Sequence, residues 1–325
     1  MKINSFAKIN LGLEVLGDRP DGYHDILTLF QSIDLADTLE FSPSPNEGIF
    51  LSGDDPSVPW DDRNLVHRAA SLLRSRTGCR RGSRISVRKS IPAGKGLGGG
   101  SSNAAMTLLG LDEFWALGLG TEGLAPLARE LGADVPYFLL GGLCLGEDRG
   151  DRLTRLGDLE PLWVLLAFPP LAVSTAEIYG AFRPSLPRSP TLGPGLARTG
   201  DEKQGAGLPP YSPRPLCRGI EGLTSEAKPS KIGRFLESKD FGLLENQLEE
   251  TIFRTYPQLE KYKRFFQDQG AEASLVSGTG STVFGLFREK EKAVQVRRAL
   301  RKTVPARLVE TLPGKAYGRR LRAGA

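Results

Sequence analysis

Histidine, cysteine and methionine are scarce in this chain, at two, three and two residues among 325. The cysteines, Cys79, Cys144 and Cys217, stand far apart, with neither metal-ligand spacing nor the even-numbered framework of a disulfide-stapled protein. That usage predicts a reducing, cytoplasmic setting. Long apolar runs are missing too: the best stretch, residues 162–173, is short and broken by Pro169 and Pro170, so it reads as a buried strand and excludes a bilayer span there. The opening "MKINSFAKINLGLEVLG" alternates apolar and polar residues and lacks the charged head, apolar run and cleavage site of a leader, so no signal or transit peptide is expected. Charge of one sign is not concentrated either. Lys plus Arg number 43 and Asp plus Glu 38, a formal net charge of +5 that suits an anionic ligand. The basic clusters "CRRGSR" (79–84) and "GRRLR" (318–322) are short and hold no aromatics, as a solvated surface does, which argues against a nucleic-acid face.

What is present is enough chain for one large domain or, more naturally, two that share a cleft. Residues 3–17 and 26–42 alternate like strands on either side of the turn "GDRPDGYHD". Asn64 stands as the N-cap of an amphipathic helix, "NLVHRAASLLRSR". "RISVRKSI" predicts a strand running into "IPAGKGLGGGSSN", and "SSNAAMTLLGLDEFWALG" a helix leaving it with Ser101 or Ser102 as cap. A second helix is expected behind Thr121 and ending at Gly132, then "ADVPYFLLGGLCLG" as a turn followed by a strand. From about residue 157 the texture changes, beginning with the apolar strand "LWVLLAF". Residues 183–232 hold nine prolines and seven glycines without periodicity, the composition of a disordered surface insertion. "FGLLENQLEETIF" predicts a helix, "ASLVSGTGSTVFGLF" two strands around a second glycine turn, and "KEKAVQVRRAL" a final helix.

The glycine run formally matches G-x-G-x-x-G at Gly94, Gly96 and Gly99, but it comes some ninety residues into the chain, where a dinucleotide fingerprint would open the fold. The P-loop form is absent, because Lys95 is followed by Gly96. Unobstructed backbone N–H groups feeding a helix N-terminus favour a phosphate cradle over a close-packed glycine turn. Asp134, in "GADVP", reads equally as a helix cap or as a catalytic carboxylate. Lys8, in "SFAKIN", alone reads as a snorkelling strand lysine; it gains meaning only beside Asp134. Tyr23 and His24 sit in the "DGYHD" turn either as surface decoration or as a stacking and hydrogen-bonding pair for a planar ligand. His67, inside its helix, reads as structural.

Together, "SFAKINLGLEVLGDRPDGYHDILTLFQSIDLADTL", "IPAGKGLGGGSSNAA", "LGADVPYFL" and "SGTGSTVF", in that order, resemble the GHMP superfamily of small-molecule kinases. The "PDGYH" turn is particular to one branch of it, whose acceptor carries a cytidine diphosphate group. The resemblance implies an α+β, two-domain GHMP kinase fold. Residues 1–156 would form an ATP-binding domain of the ribosomal protein S5 domain 2-like kind, and residues 157–325 a ferredoxin-like, substrate-binding domain whose extreme C-terminus packs back on the first. It implies ATP-dependent transfer of the γ-phosphoryl group, with Mg²⁺, to the 2-hydroxyl of the acceptor's methylerythritol moiety, in the non-mevalonate route to isoprenoid precursors. The partner is then a small molecule, with no nucleic acid and no membrane, and the protein a monomer or weak homodimer.

Carried onto this sequence, the resemblance makes Lys8 and Asp134 the catalytic pair, Asp134 orienting or accepting the acceptor proton and Lys8 balancing its charge. Pro92, Ala93, Gly94, Lys95, Gly96, Leu97, Gly98, Gly99, Gly100, Ser101 and Ser102 would wrap the ATP phosphates, with Asn64 near the nucleotide. Asn10 would lie near the acceptor, Tyr23 and Tyr179 on the two faces of the cytosine, His24 on its edge and Thr175 by the diphosphate. Gly278, Thr279, Gly280 and Ser281 would close the site. Lys95 would touch a phosphate or point to solvent. The metal ligands are unknown, with Ser102 a possible contributor. Two other readings compete: another GHMP kinase, which leaves "PDGYH" without a role, and an RNA-binding module, which leaves the glycine loop and Asp134 without one.

Overall fold

A computed structural model describes residues 1–183, the backbone of 214–217, and 227–322. Its first sheet grows from one long hairpin. The strands β1 (Lys2–Asp18) and β2 (His24–Pro43) pair antiparallel through the Arg19–Tyr23 turn, with Lys8 opposite Ser32 and Asn10 opposite Phe30. β3 (Ile49–Gly53) was not foreseen; it runs parallel to β4 (Ser83–Arg88). Between them stands helix α1 (Leu65–Thr77), capped as expected by Asn64, whose Oδ1 accepts the Val66 N–H. β1 lines one edge of β2, while β4 pairs the C-terminal half of the other edge and β5 (Leu143–Glu147) the N-terminal half. β6 (Arg152–Leu156) follows β5.

Three helices cover this sheet between β4 and β5: α2 (Gly99–Phe114), α3 (Gly120–Leu131) and α4 (Val135–Leu140). They bury Leu108, Leu111, Leu124 and Phe138 against Phe41, Ile85 and Val87, each large side chain contributing on the order of 1.5–3 kcal/mol. The expected caps are corrected here. α2 starts behind Gly98, so Ser101 and Ser102 lie inside its first turn. α3 starts at Gly120, and the Asp112 carboxylate accepts the Leu119 and Gly120 N–H groups in place of a Thr121 cap. "VPYFLL" is the helix α4, where a turn was expected.

The second sheet has the order β11-β7-β10-β9, all antiparallel, from β7 (Trp163–Ala167), β9 (Ala273–Val276), β10 (Val283–Phe287) and β11 (Ala306–Glu310). Around it lie α5 (Thr175–Ala181), α6 (Lys231–Ser238), α7 (Glu249–Thr255), α8 (Glu260–Asp268) and α9 (Lys290–Leu300). The helix expected over "FGLLENQLEETIF" is broken: a 3₁₀ turn at Phe241–Leu243 precedes α7, because Asn246 leaves the helical path to bridge Leu13 and donates from Nδ2 to the carbonyls of Val276 and Gly278. α9 is not final either, since β11 and α10 (Gly314–Arg320) follow.

Most of the insertion expected at 183–232 lies outside the described residues. The described residues of its later part do not fit that expectation: Ala227 is fully buried, Ser230 caps α6, and β8 (Arg214–Cys217) pairs parallel with β6. α10 returns to the first sheet. Tyr317 lies 5.6 Å from the Phe6 ring and donates its hydroxyl to the Phe138 carbonyl at 2.6 Å, while the Asn4 N–H bonds Leu321 O.

Candidate active site

The glycine loop is the hinge of the site. Gly94, Gly96 and Gly98 hold φ values of 66, 75 and 69°, a region that side chains rarely adopt. Close neighbours demand glycine as well: a Cβ at Gly96 would stand 2.2 Å from Ser277 O, and one at Gly98 would stand 2.6 Å from the Phe138 ring and 3.2 Å from Lys8 Cε. No side chain caps α2, so its first N–H groups remain available to an anion.

Two cavities open on opposite sides of this loop, of about 410 and 750 Å³, and Gly96, Gly98 and Ser101 line both. The smaller takes in Pro92 through Ser101 and, at its far end, Val58, Trp60, Arg63 and Asn64. The larger gathers Lys8, Asn10, Tyr23, His24, Asp134, Thr175, Tyr179, Gly278 and Thr279 from both sheets. Of the residues expected in the site, Ser102, Gly280 and Ser281 line neither cavity. Ser102 is fully buried, donating its hydroxyl to Phe6 O at 2.7 Å and accepting from Ser5 Oγ at 2.7 Å, which removes it as a metal contributor. Asn64 lines the smaller cavity, but its amide is committed to the Val66 N–H and to Pro59 O.

Lys8 is buried on β1 with Nζ 2.6 Å from Asn10 Oδ1, 3.4 Å from Asp134 Oδ2 and 5.4 Å from the centre of the Phe30 ring. Asn10 is itself fixed, donating to Thr28 Oγ1 at 2.8 Å. Asp134 occupies the cap position of α4 yet makes no capping bond, which leaves its half-buried carboxylate facing Lys8. At the outer end His24 and Tyr179 stack at 5.0 Å, His24 Nε2 lies 3.2 Å from Asp18 Oδ1, and Tyr23 stands 56 % exposed. Burial first, and the Asp134 charge second, push the Tyr179 hydroxyl above the usual phenol range, so it is a neutral hydrogen-bonding group. Thr175 Oγ1 meets Thr279 Oγ1 at 3.0 Å, joining α5 to the second glycine turn.

Several lining residues carry no mark in the sequence. Arg149 lies 5.3 Å from the centre of the Tyr23 ring and 3.0 Å from Asp151 Oδ2, so a cation faces the larger cavity from the β5–β6 turn. Lys89 lines the smaller cavity, paired with buried Asp37 and 3.2 Å from Asn103 Oδ1. Trp60 stands at that cavity's far end with Nε1 tied to Asp55 O. Only their three-dimensional neighbours identify them. Lys95, expected to meet phosphate or solvent, lines the smaller cavity and turns its Nζ to the second half of the molecule, donating to the carbonyls of Pro169 and Leu171 and to Ser281 Oγ.

A glycine loop between two cavities, on this pair of sheets, is the arrangement of a small-molecule kinase fold, and it is the family comparisons that show the class. Residues 64–142 match the GHMP kinases N terminal domain and residues 231–306 the GHMP kinases C terminal domain. A 4-diphosphocytidyl-2-C-methyl-D-erythritol kinase of Pelotomaculum thermopropionicum is 39% identical over 297 residues, 91% of this chain and 92% of its own length. The same kinase of Chloroherpeton thalassium is 37% identical, covering 94% and 96%. A crystal structure of 4-(cytidine 5'-diphospho)-2C-methyl-D-erythritol kinase superposes with a TM-score of 0.72 at 35% identity, covering 96% of this chain and 99% of that one. Homoserine kinase from Cytophaga hutchinsonii, 18% identical with a TM-score of 0.66, shares the fold. The chain is a GHMP kinase, with the two-domain α+β fold expected of one. Within that superfamily it belongs to the 4-diphosphocytidyl-2-C-methyl-D-erythritol kinase family.

Proposed function

We propose that this chain phosphorylates the 2-hydroxyl of 4-diphosphocytidyl-2-C-methyl-D-erythritol with ATP, releasing the 2-phosphate and ADP, through Lys8 and Asp134. The observation that carries the residue assignment is the Lys8–Asp134 pair, 3.4 Å apart, lining the larger cavity beside the loop that both cavities share. ATP would occupy the smaller cavity with its phosphates on the N–H groups of the 94–101 loop and the start of α2. The acceptor would fill the larger one, its cytosine at Tyr23, His24 and Tyr179, its diphosphate near Thr175 and Thr279, and its reacting hydroxyl against Asp134. There Asp134 takes the hydroxyl proton as the O–P bond forms, and Lys8, held by Asn10, steadies the carboxylate and the incoming oxygen. Positioning supplies most of the acceleration in such a transfer, so the carboxylate need not be a strong base.

Among the described residues no group of three or more His, Cys, Asp or Glu side chains could hold a metal ion. Asp134 is the one carboxylate lining either cavity, with the Ser101 hydroxyl nearby, a donor set that fits a Mg²⁺ carried in by the triphosphate. When bound, that ion neutralises charge on the β- and γ-phosphate oxygens. We further place the boundary between the ATP-binding and substrate-binding halves at residues 156 and 157, and the protein in the cytoplasm, as its scattered cysteines suggest. No described helix is long and apolar enough to cross a membrane. An ADP-release assay with Mg·ATP and the cytidyl acceptor tests the activity; turnover of homoserine or mevalonate instead would overturn it.

A further inference from the structure

We propose that Lys95 is a positioning residue that clamps the acceptor wall of the site to the phosphate loop, a proposal that rests on the placement of donor and acceptor argued above. Lys95 belongs to the glycine loop and lines the donor cavity, yet its ammonium reaches into the second half of the molecule. It bonds Pro169 O at 2.8 Å, Leu171 O at 2.5 Å and Ser281 Oγ at 3.2 Å, and these acceptors use all the donors an ammonium has. No proton is left for a phosphate. The bonds fall on the connection from β7, which ends at Ala167, to α5, which begins at Thr175. There the Phe168 N–H is held by Pro305 O and the Leu171 N–H turns back on Pro169 O, while Lys95 ties the Pro169 and Leu171 carbonyls to the glycine loop. α5 carries Thr175 and Tyr179 into the acceptor cavity, so the position of that wall depends on what holds Pro169 to Leu171.

Other bonds show that loop and wall are one assembly. Ser281 Oγ donates to Leu171 O at 2.9 Å, Ser277 Oγ to Gly96 O at 2.9 Å, and Thr282 N to Lys95 O at 3.3 Å. Burial draws the Lys95 ammonium below the usual lysine pKa, a cost that its carbonyl partners offset only by being held in place. Wherever the triphosphate fixes the loop, the acceptor wall is fixed with it.

Steady-state kinetics of Lys95→Met and Lys95→Arg in the full chain, varying ATP and acceptor separately, test this. Loss of charge-assisted bonds predicts an acceptor KM raised about tenfold or more in Lys95→Met, with ATP KM within about twofold of wild type. Lys95→Arg should recover most of that loss. An equal rise in ATP KM, or no change in either KM, overturns the proposal. Should Lys95→Met fail to fold, Ser281→Ala, which removes one of the ammonium's acceptors, should shift acceptor KM in the same direction by less, and no shift there overturns it as well. Titration with cytidine diphosphate alone separates this from the proposed activity. If wild type binds cytidine diphosphate but does not turn the acceptor over, the activity falls, and the clamp is judged by whether Lys95→Met weakens that binding.

Discussion

The two cavities on either side of the glycine loop are built from different materials. The proposed donor side takes half its lining from a single run, Pro92 to Ser101, that presents N–H groups at a helix start, and the rest from residues 57–66, Lys89 and Asn103. The acceptor side is largely side chains drawn from β1, the β1–β2 turn, the α3–α4 junction, the β5–β6 turn, α5 and the second glycine turn. A triphosphate is the same in every kinase, and backbone amides suffice to hold it. Recognition of one particular acceptor needs side chains of chosen shape, and these must be brought together by the fold.

Substitutions can break this contrast in turn. Asp134→Ala should have the largest effect, lowering kcat by about 10²–10⁴ while calorimetry finds ATP binding unchanged; retained turnover would show that the proton goes elsewhere. Gly98→Ala, at the wall both cavities share, forces a Cβ into the Phe138 ring at a positive φ. It should cost about 1–3 kcal/mol and raise both KM values, unlike any change on one side alone. Removing an aromatic that stacks on a base costs about 1–3 kcal/mol, so Tyr179→Ala should raise acceptor KM roughly ten- to hundredfold and spare ATP. Trp60→Ala tests the mirror image, with ATP KM up by about threefold, from the loss of roughly 0.5–1 kcal/mol of aromatic contact, and acceptor KM unmoved. If Trp60→Ala disturbs the acceptor instead, the two cavities are not the separate donor and acceptor sites argued here.

The same contrast explains what could be read in the sequence. The glycine loop, its entering strand and its leaving helix are contiguous, so local chemistry exposes them. Asp134 and Lys8 were visible only as a pair, and the structure brings them to 3.4 Å across 126 residues of chain. Ser101 and Ser102 are adjacent hydroxyls that no sequence rule separates; the helical turn points one at both cavities and buries the other against Phe6. Arg149 and Lys89 carry no motif, since their meaning comes from the Tyr23 ring and the Asp37 carboxylate. Asn246 breaks a helix that its apolar periodicity supports, because β1 and the second glycine turn need its amide and backbone.

The return of α10 to the first sheet has a consequence for how the protein is made. A ribosome delivers Lys8, then the glycine loop, then Asp134, so a nascent chain holds the proposed reacting groups before α10 is made. Yet Phe138, one helical turn beyond Asp134, has its carbonyl bonded by Tyr317, and Asn4, just ahead of Lys8, is bonded by Arg320 and Leu321. The strand and the helix that carry the two proposed reacting groups are therefore both tied off by residues 317–321, which are made after both. A chain stalled before residue 314 would carry Lys8 and Asp134 without the bonds that fasten their strand and helix.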